Sequence, residues 1–122
     1  MSKTILTIDD SASIRQMVSL TLQSAGYTVI EAHDGSDGYD KAIANHIDAV
    51  LTDLNMPVLN GIEFIRKYRA HPASKGVPIV LLTTESDEEL KRQAKEAGAT
   101  GWIVKPFKQD QLLAVIKKVA GA

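Results

Sequence analysis

Residues 48–61 read DAVLTDLNMPVLNG, an apolar run that ends abruptly on one carboxylate, Asp53, before a loop carrying Pro57 and Gly61. The segment DAVLT (48–52) has the length and β-branched composition of a strand, and it lacks the polar/apolar alternation of a strand with one wet face. It therefore belongs to a sheet covered on both sides, as parallel sheets are. Four other runs have strand character: TILTI (4–8), TVIEA (28–32), VPIVLL (77–82) and TGWIV (100–104). TVIEA is the most polar of them and is expected at an edge.

Helical patterns fill the gaps. Ile14, Met17, Val18, Thr21, Leu22 and Ala25 follow the three-and-four spacing of a buried helical face, with Gly26 as the stop. Ser86 and Glu89 have capping-box spacing and predict a helix through Leu90, Ala94 and Ala97 that Gly98 ends. The remaining helices are expected over 35–45, 60–71 and 108–120, the last with Leu112, Leu113, Ile116 and Val119 facing inward. Strict βα alternation implies one α/β domain over residues 1–122, a doubly wound parallel sheet with right-handed crossovers. No output domain is expected.

The bulk composition excludes several classes. The chain of 122 residues has no cysteine, so thiolate metal sites, disulfides and cysteine nucleophiles are absent. A formal net charge of −1 argues against a non-specific grip on nucleic acid. The N-terminal apolar run is too short for a secretion signal or a membrane span, so a cytoplasmic protein without membrane or nucleic-acid partners is the simplest expectation.

Ligands of an open parallel sheet sit beyond the carboxyl ends of its strands. The first strand delivers Asp9 and Asp10 there, the third Asp53, the fourth Thr83 and the fifth Lys105 followed by Pro106. Singly, each is an ordinary loop start or helix cap. Together, three carboxylates repel unless a cation joins them, and Mg²⁺ is a hard ion suited to one or two carboxylates plus phosphate oxygens. With such an ion on one side and Lys105 on the other, Asp53 is placed to attack phosphorus and become an aspartyl phosphate. Thr83 offers a hydroxyl donor to the same group. A cis Lys105–Pro106 bond would aim the lysine inward.

The motifs IDDS (8–11), LTDLNMPVLNG (51–61), LLTTES (81–86) and WIVKPF (102–107) resemble those of response-regulator receiver domains, most closely the CheY-type regulators of bacterial chemotaxis. The resemblance implies a (βα)5 flavodoxin-like fold with strand order 2-1-3-4-5. It implies Asp53 as phosphoacceptor, and Mg²⁺ (or Mn²⁺) on Asp10, Asp53 and the Asn55 backbone carbonyl, with Asp9 acting mainly through water. Thr83 and Lys105 become the switch hydroxyl and the phosphate-binding lysine, and Trp102 the aromatic that turns inward. The donor would be a CheA-like histidine kinase or phosphotransfer domain. Output would pass through the face of the fourth helix, fifth strand and fifth helix to a flagellar motor switch or another protein target. A phosphate sink, a relay or kinase adaptor, and a phosphorylation-independent interaction module are the alternatives. The domain is not an enzyme in the ordinary sense, although it assists its own phosphorylation and dephosphorylation.

Three residues depart from the family's habit. Trp102 stands where relatives carry Tyr or Phe, and Thr84 where a smaller Ala is common. Gly38 interrupts the second helix at a cost of roughly 1 kcal/mol, which predicts a soft helix. Asn55 and Glu85, two residues beyond Asp53 and Thr83, occupy positions that tune dephosphorylation in this family. Lys91, Arg92 and Lys95 on the fourth helix read more simply as a solvated surface than as a partner face. An aspartyl phosphohydrolase would need an Asp-x-Asp motif after the first strand, and a flavodoxin-like carrier a neutral phosphate loop there; DDSASIR supplies neither.

Overall fold

A computed structural model describes residues 3–84 and 87–121. In chain order the elements are β1 (Thr4–Ile8), α1 (Ala12–Ser24), β2 (Thr28–Ala32), α2 (Gly35–Ala44), β3 (Ala49–Asp53), α3 (Gly61–Arg69), β4 (Ile79–Thr83), α4 (Glu88–Ala97), β5 (Gly101–Val104) and α5 (Gln109–Ala120), with a 3-10 turn at Pro72–Ser74. The strands form one sheet in the order β2-β1-β3-β4-β5, with every neighbouring pair parallel. This is the doubly wound fold expected, and β2 lies at an edge.

Period-two geometry sends successive strand side chains to opposite faces. Along β4, Ile79 and Leu81 enter a core shared with Phe64, Ile65 and Tyr68 of α3, while Val80 and Leu82 meet Val18 and Leu22 of α1 and Leu112 and Ile116 of α5. Every residue of β3 and β4 is buried, which is why neither segment alternates in sequence. Burying each such Leu, Ile or Val contributes about 1.5–3 kcal/mol relative to exposure, and this two-sided core holds the sheet rigid beneath its rim.

Several boundaries differ from expectation for identifiable reasons. Asp48 lies outside β3 because its carboxylate accepts the Thr4 N–H at 2.8 Å, tying the entrance of β3 to β1. β4 begins only at Ile79, since Pro78 has no N–H to give, although its carbonyl accepts from Val50 at 2.9 Å. α3 stops at Arg69, short of position 71, and Pro72 starts the 3-10 turn instead. The cap of α4 is Asp87, which accepts the Leu90 N–H at 3.1 Å, and the Glu89 carboxylate pairs with Arg92. Ser86 lies outside the described residues.

Two contacts fix helices to the body. A Cβ on Gly38 would stand 2.4 Å from Ile8 Cδ1, so this glycine is the close-approach point of α2 on β1 and not a soft spot. At the opposite end of the sheet from the acidic rim, the Arg69 guanidinium donates to the carbonyls of Ser74 (2.7 Å), Val77 (2.6 Å) and Gly98 (3.0 and 3.1 Å). Gly98 ends α4 in the left-handed region at φ 117°, and a side chain there would also strike Arg69. Among the described residues no helix is long and apolar enough to cross a membrane.

Candidate functional site

The sheet delivers the predicted groups to one rim. Asp9 follows β1 and is 1% exposed. Its Oδ1 accepts the Ser11 N–H at 2.9 Å, and Ser11 in turn caps α1. Its Oδ2 is buried without a hydrogen-bond partner among the described residues, with Lys105 Nζ at an ion-pair distance of 3.5 Å. Asp53 is the last residue of β3, 6% exposed, and its Oδ1 accepts from Lys105 Nζ at 2.9 Å. Asp10 is exposed at the edge of the cluster. Carboxylate oxygens of Asp9, Asp10 and Asp53 lie within 4.8 Å of one another.

The electrostatics follow from this crowding. Burial pushes the Asp53 carboxyl above its usual range, and the charges of Asp9 and Asp10 add to the effect; the Lys105 bond opposes it without prevailing. For Lys105, burial works to lower the pKa, but the bond to Asp53 and the charges of Asp53 and Asp9 prevail and raise it. The one ammonium touches Asp9 and Asp53, while Asp10 adds a third negative charge to the cluster. The site is short of positive charge, and its donors are all hard oxygens, so the residues fit a divalent cation.

The fourth and fifth strands complete the rim. Thr83 ends β4, buried and paired in register with Val104, and its carbonyl accepts the Lys105 N–H at 2.7 Å. The Lys105–Pro106 peptide is cis. Thr84 is exposed and, with Ile14, Met17, Lys105, Pro106 and Phe107, borders a mainly apolar cavity of about 340 Å³ beside the carboxylates. Trp102 pairs with Leu81 two rungs below the rim and packs on the α3–α4 side of the sheet. Asn55 is exposed in the loop after β3, and Glu85 lies outside the described residues.

The loop after Asp53 is shaped by residues the sequence only partly marked. Asn60 and Glu63 form a reciprocal capping box on α3, at 2.8 and 2.9 Å. Gly61 donates its N–H to Leu54 at 2.8 Å, and a Cβ there would stand 2.5 Å from the Asp53 carbonyl, so the glycine lets the loop fold back onto β3. Val58, 74% exposed, has φ 72°, a left-handed conformation unfavourable to a β-branched residue. Sequence reasoning missed it, because nothing in Pro57-Val58 marks a left-handed turn. It also missed Arg15, which donates to the Asp9 carbonyl at 2.7 Å and to Glu31 at 3.2 Å, a contact made only when α1 meets β2. His33 and Asp34, after the edge strand, serve α2 instead: Asp34 caps it and His33 pairs with Asp37 at 2.9 Å.

A five-stranded 2-1-3-4-5 sheet carrying three carboxylates and a lysine on its carboxyl rim defines a CheY-like phosphoacceptor module of two-component signalling. Residues 5–117 match the response regulator receiver domain, and the chain belongs to that family. It is similar to the chemotaxis response regulator CheY4 of Vibrio cholerae, with 46% identity and a TM-score of 0.94 over 98% of this chain and 99% of that one. The receiver domain of the sensor histidine kinase PA1611 from Pseudomonas aeruginosa, with magnesium coordinated in its active-site cleft, is 29% identical with a TM-score of 0.91, both chains being covered completely. The phosphate regulon transcriptional regulatory protein PhoB of Pseudomonas aeruginosa is 35% identical over 119 residues, 98% of this chain and 52% of PhoB. The chain spans about half the length of the curated relatives it matches.

Proposed function

We propose that this receiver accepts a phosphoryl group on Asp53 from a phosphohistidine of a CheA-like histidine kinase or phosphotransfer domain, in a chemotaxis pathway. An Asp53 carboxylate oxygen forms the new P–O bond while the P–N bond breaks, its electron pair staying on the imidazole nitrogen, which takes up a proton. Lys105, 2.9 Å from that carboxylate, stabilises the charge carried by the phosphoryl oxygens, and Thr83 supplies a hydroxyl donor. Mg²⁺ or Mn²⁺ would be held by Asp9, Asp10, Asp53 and the Asn55 carbonyl, and when bound it supplies the positive charge the site lacks. The buried, unbonded Asp9 Oδ2 beside two further carboxylates supports that assignment.

The observation that carries the reading is the Lys105–Asp53 pair set among three carboxylates within 4.8 Å. The 46% identity to a chemotaxis regulator supports the pathway. Output is proposed to pass through the α4–β5–α5 face to a protein target such as a flagellar motor switch, with Thr83 and Trp102 as the switching pair. Asn55 and Thr84, exposed at the rim, are proposed to set the lifetime of the phosphate, together with Glu85. The test is intact mass after incubation with acetyl phosphate, with and without Mg²⁺, for the wild type and Asp53→Asn. A Mg²⁺-dependent gain of one phosphoryl group, absent from the variant, is expected; no gain, or an equal gain in the variant, would refute the assignment.

A further inference from the structure

The helix α4 is lightly anchored. Ala94 is its one fully buried residue, and its C-terminal end is held through the Gly98 carbonyl by Arg69. Nearer its start, Lys91 reaches across to β5 and places Nζ 4.8 Å from the centre of the Trp102 ring. The Lys91 side chain is only 32% exposed, and its other partner, Glu88 at 3.7 Å, is 92% exposed. An ion pair with so solvated a carboxylate contributes little, whereas an ammonium over an indole face is attractive in its own right. Arg92 and its carboxylate partners, by contrast, are satisfied within α4, through Glu89 and Glu96.

We infer that Lys91 is the positioning residue for Trp102: its ammonium clamps the indole in the α4–β5 seam and joins the first half of α4 to β5. The helix is thus tied at two points, by Arg69 at its end and by Lys91 near its start. The consequence for signalling rests on the proposed α4–β5–α5 output: any rearrangement that moves Trp102 must first give up the Lys91 contact. Losing the clamp changes the ratio of clamped to released indole by about two- to fivefold, the range set by a partly exposed cation–π contact. The residue that tunes this receiver's switch is then a lysine on α4, outside the acidic rim.

Trp102 is the only tryptophan in the chain, so its fluorescence reports the clamp directly. Acrylamide quenching is compared for the wild type, Lys91→Met and Lys91→Arg in the full chain; a neutral quencher is insensitive to the change of charge itself. Lys91→Met is expected to raise the quenching constant, and Lys91→Arg, which keeps a cation over the ring, to retain the wild-type value. Lys91→Gln replaces the methionine variant should circular dichroism show that it unfolds. Equal quenching in wild type and the neutral variant, or an arginine variant that behaves like the neutral one, would overturn the inference. A protein that takes up no phosphoryl group would instead refute the receiver assignment of Asp53, and the quenching comparison would still decide the clamp.

Discussion

Replacing Gly38 by Ala sets two opposed effects against each other. In an unobstructed helix interior the change gains about 1 kcal/mol. Here the new Cβ would stand 2.4 Å from Ile8 Cδ1 and 3.0 Å from Cγ1, against ordinary carbon contacts of about 3.5–4.0 Å. Ile8 is wholly buried, so the methyl has no solvent to retreat into. Forcing one carbon into a packed core costs about 1–3 kcal/mol, so Gly38→Ala is expected to destabilise by about 1 kcal/mol net. Ile8→Val deletes Cδ1 and alone costs about 0.5–1.5 kcal/mol. In the double variant the new methyl occupies the vacated space, and the pair should be less destabilised than the sum of the singles by about 1–2 kcal/mol. Urea denaturation followed by far-ultraviolet circular dichroism and by Trp102 fluorescence measures all four proteins. A Gly38→Ala protein as stable as the wild type, or a double variant whose effects simply add, would refute the close-approach argument.

Val58→Asn should stabilise by about 1 kcal/mol, because Asn tolerates the left-handed backbone that Val is held in; an unchanged urea midpoint would count against strain at that residue. The Asp48 carboxyl is held below its ordinary 3.8, first by the Thr4 N–H, with burial opposing and His46 assisting. Its stabilisation is therefore present above that pH and is lost as pH falls through the depressed folded value, so Asp48→Asn should flatten the acid limb of a stability–pH profile. Equal acid limbs in the two proteins would disprove this. Mg²⁺ at tenfold its dissociation constant should stabilise the wild type by about 1.4 kcal/mol, a rise in Tm of roughly 5 °C. Asp9→Asn/Asp10→Asn should lose most of that rise, and the same rise in the double variant would move the cation elsewhere.

The central strands and the rim were legible because they follow from short-range rules. A strand buried on both faces cannot alternate, so β3 and β4 declared themselves, and strand ends in a parallel sheet must bring Asp9, Asp53, Thr83 and Lys105 together. What sequence reasoning could not supply depends on distances between elements. Gly38 reads as a weak helix until β1 is laid beneath it, and Lys91 reads as a solvated charge until Trp102 arrives from β5. The α4 cap falls on Asp87, and the spacing of polar residues before a helix does not by itself rank adjacent candidates.

The Arg69 bonds to the Gly98 carbonyl give the domain a mechanical axis. A ten-residue helix such as α4 is about 15 Å long. Any rotation that keeps those bonds must pivot at Gly98, so a tilt of roughly 10° would carry the far end through about 2.6 Å while the pivot stays still. The end that sweeps is the end nearer the acidic rim, and the end that stands still is buttressed by the buried foot of α3. α4 is in that sense a lever with its fulcrum remote from the chemistry, and because Ala94 lies in the core between the two ends, any such tilt must be taken up by the packing around that one small side chain.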